Sequence, residues 1–97
     1  MTRNLFLVMY DVRDDRRLRA VFKVVEGFGD HLQYSVFRCD LSAREHAELV
    51  AKLTDAIDHT EDQVLLVDMG PVDGHSDSRI ASLGIAYRAL TRRALIV

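Results

Sequence analysis

Several things are scarce in this 97-residue chain, and each scarcity narrows what it can be. It holds a single cysteine, Cys39, which excludes an internal disulfide and a cysteine-built zinc site. No apolar run is long enough to span a bilayer, and the N-terminal run has no processing signal, so no membrane is expected. Net charge is only −2, so no strong global field points to nucleic acid or lipid. The four histidines, at 31, 46, 59 and 75, share no metal-ligand spacing, and His75-x-Asp77 is too weak a pattern to stand for one. Repeats and low-complexity segments are absent. These exclusions lead to the expectation of a soluble protein of the reducing cytoplasm.

What is present is the composition of an ordinary globular domain, with 48% hydrophobic and 29% charged residues. The length suits one domain over 1–97, with a core small enough that a dimer would add useful burial. Charge is unevenly placed. Residues 53–78 carry seven acidic side chains and no Lys or Arg, whereas 79–97 carry four Arg and no acid. A second basic segment holds Arg13, Arg16, Arg17, Arg19 and Lys23. Solvated surface arginines and a polyanion contact are equally consistent with this pattern.

Hydrophobic periodicity sets the element order. Leu5 to Tyr10 is a short continuous apolar run, as in a strand buried on both faces. Asp14 and Asp15 sit at N-cap positions before Leu18, Val21, Phe22 and Val25, whose i, i+3, i+4, i+7 spacing predicts a helix over about 15–27, stopped by Gly27 and Gly29. "HLQYSVFRCDL" reads as extended chain, with Ser35, Phe37, Cys39 and Leu41 on a core-like face and Tyr34, Val36, Arg38 and Asp40 opposite; a joint near 32–34 would split it into two strands. Ser42 and Glu45 form a capping box ahead of a second helix striped by Leu49, Val50, Leu53 and Ile57. A turn at 59–62, a strand over Gln63–Met69, an irregular loop at 70–79 and short extended pieces at Ile80–Leu83 and Ala94–Val97 complete the chain. The order β-α-β-β-α-β with a tail is the ferredoxin-like α+β pattern, an antiparallel sheet with two helices on one face. The uncovered face would be apolar, which predicts a homodimer.

Asp11 is the residue that needs a reason. Alternation places it in one row with Leu5, Leu7 and Met9, and a carboxylate there is costly unless paired, hydrated or metal-bound. It is either a solvated strand end or turn cap, or one of two carboxylates brought together across a two-fold axis, where a hard divalent cation would relieve their repulsion. Asp68 ends "LLVD" in the same way and is a second, weaker acidic candidate.

The stretch "VMYDVRDDRRLRAVFKVVEGFGDHLQYSVFRCDLS" resembles the CRISPR-associated protein two (Cas-two) family. Tyr10-Asp11-Val12 at a strand end, an Arg-rich helix, Gly27 and Gly29, and Gln33-Tyr34-Ser35-Val36-Phe37-Arg38 follow in the family's order, and "SLGIAYRALTRRALIV" resembles its C-terminal segment. The resemblance implies a homodimer of prokaryotic CRISPR adaptation, part of antiviral defence, acting beside the Cas-one integrase in spacer acquisition. It implies an Mg²⁺-dependent (or Mn²⁺-dependent) endonuclease on single-stranded RNA or double-stranded DNA, with Asp11 as metal and catalytic residue. Arg13, Arg16, Arg17, Arg19 and Arg38 are the nucleic-acid-binding candidates, and the segment over about 80–97 would pair across the dimer. With no histidine or lysine obviously placed as a base, a water activated by the metal is the expected nucleophile. The alternatives are a non-catalytic scaffold spanning DNA in the integrase complex and, more remotely, a ferredoxin-like regulatory module for a small ligand.

Overall fold

In the computed structural model, which describes residues 2–73 and 79–86, the strand β1 covers Arg3–Asp11 and the helix α1 covers Asp15–Glu26. A hairpin of β2 (Asp30–Gln33) and β3 (Val36–Ser42) follows, then α2 (Ala43–Ala56) and β4 (Gln63–Pro71). The strands form one four-stranded sheet in the order β2-β3-β1-β4 with every neighbouring pair antiparallel. This is the ferredoxin-like arrangement, in which each β-α-β unit leaves room for a strand of the other between its own two.

Both helices lie on one face. Phe6, Val8 and Tyr10 of β1 and Phe37, Cys39 and Leu41 of β3 meet Val21 and Val25 of α1 and Leu49 and Leu53 of α2 in one core. Each fully buried large aliphatic or aromatic side chain in it contributes about 1.5–3 kcal/mol. The alternation predicted for β3 therefore holds, with its odd-numbered residues inward.

Local signals explain the helix starts. Asp14 caps α1 by accepting from the Arg17 N–H at 2.9 Å. Ser42 and Glu45 close the predicted capping box: the Ser42 hydroxyl accepts from the Glu45 N–H at 3.1 Å, and the Glu45 carboxylate accepts from the Ser42 N–H at 3.0 Å. These bonds hold the Glu45 carboxyl below its ordinary range.

Four expectations need correction. α1 stops at Glu26 with Gly27 in the helical region (φ −71°), so no left-handed glycine ends it. Gly29 is required for a different reason: a Cβ there would lie 2.3 Å from the Arg38 carbonyl oxygen and 2.5 Å from Cys39 Sγ. Val50, assigned to the α2 stripe, is 39% exposed and borders an open groove with Leu53, Ile57, Val64 and Leu66. Ile80–Leu83 is irregular chain rather than strand, and Gly70 and Pro71 extend β4 instead of opening a loop. The predicted strand at Ala94–Val97 and its pairing across a dimer fall outside the described residues, as do His75 and Asp77.

Candidate functional site

The face of the sheet away from the helices has no layer of secondary structure on it among the described residues. Along β1 its row runs Leu5, Leu7, Met9, Asp11, from buried through half-buried to exposed. On β4, Leu65 and Val67 point the same way and are 48% and 42% exposed. The segment 80–86 lies against the β2 side of this face and bounds a groove with Leu7, Leu32 and Val36.

Asp11 closes β1 opposite Gln63, the first residue of β4. Its main chain is held from two directions. On one side the Tyr10 N–H donates to the Ser35 carbonyl at 3.1 Å, tying the strand to the β2–β3 hairpin turn. Burial pushes the Tyr10 phenol above its ordinary value, partly opposed by a hydrogen bond with the Ser35 side chain. On the other side the Arg13 N–H donates to Asp62 Oδ1 at 3.0 Å.

Asp62 is the hub that sequence reading missed. Its Oδ2 accepts from Arg17 Nε at 2.8 Å and from the Asp58 N–H at 2.8 Å, and its Oδ1 accepts from Arg17 Nη2 at 3.2 Å as well as from Arg13. The side chain is fully covered. The Arg17 guanidinium, followed by the two main-chain donors, holds the carboxyl far below the usual carboxylate range against the cost of desolvation. The loop leaving Asp11 is thereby clamped to the turn that precedes its cross-strand neighbour. The Asp11 side chain itself stays exposed and accepts no hydrogen bond among the described residues.

The five candidate arginines separate. Arg17 is engaged by Asp62, and Arg38 is buried on the open face with its Nη2 2.6 Å from Asp30 Oδ2. Arg13, Arg16 and Arg19 remain exposed. Arg16, Arg19 and Lys23 fall at i, i+3 and i+7 on the solvent side of α1, a basic stripe that starts in the first turn of the helix following β1. Asp68 is elsewhere. It pairs with Phe6, about 17 Å along β1 from Asp11, on the helix side of the sheet. There its carboxylate accepts from Asn4 Nδ2 at 3.0 and 3.1 Å and from the Gly70 N–H at 2.8 Å. Three of the histidines are accounted for structurally: His31 Nε2 donates to the Tyr34 carbonyl, His46 stacks on Phe6, and His59 Nε2 donates to the Thr54 carbonyl.

No cluster of three or more His, Cys, Asp or Glu stands ready for a metal among the described residues. Mg²⁺ does not require such a cluster, because it keeps several waters and is commonly held by one or two carboxylates together with substrate phosphates. Asp11 offers one such carboxylate per chain, and a second copy packed on the open face would offer another. No helix among the described residues is long and apolar enough to cross a membrane.

Fold and site together define a ferredoxin-like α+β protein with an acidic strand end beside a basic helix stripe. The family model of the CRISPR associated protein Cas2 matches residues 4–73, and the chain belongs to that family. It is similar to the CRISPR-associated endoribonuclease Cas2 of Geobacter sulfurreducens, 37% identical over 94 residues that cover 97% of this chain and 98% of the relative. A second relative of the same name, from Thermus thermophilus, is 44% identical over 66 residues, covering 67% of this chain and 69% of the relative. Among solved structures, a hypothetical protein from Thermus thermophilus superposes with a TM-score of 0.74 at 27% identity, covering 89% of this chain and 96% of that one. The Cas2 of Streptococcus pyogenes superposes with a TM-score of 0.69 at 29% identity, covering 82% of this chain and 99% of its own.

Proposed function

We propose that this protein is a homodimeric, Mg²⁺-dependent nuclease of CRISPR adaptation that works beside the Cas-one integrase, with Asp11 at its catalytic centre. The observation that carries this reading is the Asp11 carboxylate, held by its main chain between the β2–β3 turn and the Asp62 clamp yet left unpaired at the end of an apolar row. The names of the relatives, endoribonucleases, favour RNA as the substrate class.

In this reading Asp11 and its copy from the second subunit hold the divalent cation, which neutralises phosphate charge and polarises the phosphodiester when bound. Arg13, Arg16 and Arg19 draw the strand in through its phosphates without reading sequence. The Asp62–Arg17 clamp keeps the approach to Asp11 from shifting. Exposed Leu65 and Val67, with Met9 and Leu7, are the apolar surface that the second copy covers.

A second reading, a non-catalytic scaffold that spans DNA in the integrase complex, is favoured by one feature. His31, His46 and His59 are each committed to a structural contact, so among the described residues no histidine is offered as a general base.

Asp11→Asn decides between them. The nuclease reading expects cleavage of single-stranded RNA in Mg²⁺ to disappear while sedimentation still shows a dimer; a variant that cuts as well as its parent removes Asp11 from the chemistry. The scaffold reading expects the same variant to support full spacer integration with the partner integrase, and expects integration to fail when Arg16 and Arg19 are reversed in charge.

A further inference from the structure

The turn between β2 and β3 is a two-residue loop, Tyr34–Ser35, closed by the Gln33–Val36 pair. Among the described residues Tyr34 is the only non-glycine residue with positive φ, at 28°. A tight hairpin that needs φ > 0 at its first loop position puts glycine there, because a Cβ in that conformation crowds the following carbonyl. Tyrosine is therefore a poor choice for the turn. It also returns nothing to packing: the residue is 93% exposed, while the rings of His31, Phe22 and Phe37 cluster on the helix side. The turn is nonetheless pinned. His31 Nε2 donates to the Tyr34 carbonyl at 2.6 Å, and the extra residue at Leu32 twists the hairpin just before it.

Register locates the exposed ring. Met9 pairs with Val36 and the Tyr10 N–H reaches the Ser35 carbonyl, so the Tyr34–Ser35 turn lies at the same end of the sheet as Asp11. An unpacked aromatic ring, held by a strained and anchored turn, thus stands at the end of the sheet where β1 closes on the uncommitted Asp11 carboxylate and α1 begins. Aromatic side chains so placed bind unpaired nucleobases by stacking, which is tolerant of sequence because every base has a π-face. A ring in a duplex groove would find the base faces already stacked on one another.

We infer that Tyr34 is a base-stacking residue, which takes a nucleobase of an unpaired strand next to the phosphodiester held at Asp11. The inference rests on the reading of Asp11 as a nucleic-acid site, and it adds a preference for unpaired strands that phosphate contacts alone cannot supply.

The test measures binding of the full chain, in Ca²⁺ to prevent turnover, to four probes: a single-stranded RNA, the same strand as DNA, an abasic strand of equal length, and a blunt DNA duplex. The parent protein should bind both base-bearing strands about 5- to 150-fold more tightly than the abasic one. Tyr34→Gly, which suits the turn and keeps the fold, should lose most of that margin while duplex binding stays unchanged. Tyr34→Leu should behave like the glycine variant and Tyr34→Phe like the parent. Tyr34→Trp would place the only tryptophan of the chain at the site, and its emission should fall when a base-bearing strand is added. Equal binding of abasic and base-bearing strands by the parent, or an unchanged margin in Tyr34→Gly, would overturn the inference and leave Asp11 untouched. A parent that binds none of the four probes overturns both. Loss of the dimer in Tyr34→Gly would instead assign the ring to the second copy and overturn the stacking role.

Discussion

Arg17 and Asp62 lie 45 positions apart in sequence, and the Arg17 guanidinium grips the Asp62 carboxylate with Nε–Oδ2 at 2.8 Å and Nη2–Oδ1 at 3.2 Å. This fork joins the start of α1 to the turn before β4 directly behind Asp11. Because the Asp62 carboxyl titrates far below its ordinary range, its contribution to stability is complete above the unfolded value of about 3.9 and is lost as pH falls through the folded value. Asp62→Asn should therefore melt below the parent at neutral pH, and the gap in Tm should close steadily as pH is lowered below about 4. A gap that stays constant down to pH 2 would mean that the charge is not what the clamp uses.

The basic stripe has a salt signature. Reversing Arg16 and Arg19 to Glu should weaken binding to every sequence alike and flatten the dependence of log affinity on log salt by about 0.7 per lost phosphate contact on a single strand, or about 0.9 on duplex. Arg17→Ala should differ in kind, lowering Tm while leaving the salt slope unchanged, because its guanidinium is spent on Asp62. Equal salt slopes for parent and double variant would remove the stripe from the interface.

Leu65 and Val67 are large apolar residues half in water, on a sheet face that no helix or strand covers among the described residues. Replacing both with Asp should abolish self-association, read by sedimentation, with little change in the Tm of the single chain, since neither side chain lies in the helix-side core. A variant that still sediments as the parent does would place the interface elsewhere.

Gly29→Ala should cost about 3 kcal/mol, the upper part of the range for overpacking, because the added methyl meets the β3 backbone at Arg38 rather than a side chain that can swing away. Denaturant midpoints would show it. A shift of a few tenths of a kcal/mol would mean that β2 and β3 can separate at this point.

Much of the architecture was legible because it is local. The Ser42–Glu45 box, the α1 spacing and the alternation through Phe37, Cys39 and Leu41 are each written within a few residues, and each formed as expected. The exposed face was legible too, since parity alone separated Leu7, Met9 and Asp11 from Phe6, Val8 and Tyr10. What could not be read depends on residues far apart or on backbone angles. Nothing in "HTED" distinguishes Asp62 from Glu61 until the Arg17 guanidinium arrives. Parity put Arg38 on the open face, but its pairing with Asp30 needs the hairpin to be closed. The joint near 32–34 was expected and formed, but the Tyr34 turn carries neither glycine nor asparagine, so its positive φ was not marked.

Cys39 has a use that follows from its place under Gly29. It is the chain's one thiol, completely covered, wedged where the β2–β3 hairpin meets the core, and it forms no disulfide. A thiol reagent can reach it only when that hairpin lifts or the whole domain opens, so its labelling rate is a clock on those events with no second cysteine to blur it. Followed with and without Mg²⁺ and nucleic acid, the same clock would report how far a ligand bound at the Asp11 end restrains the hairpin that carries Tyr34.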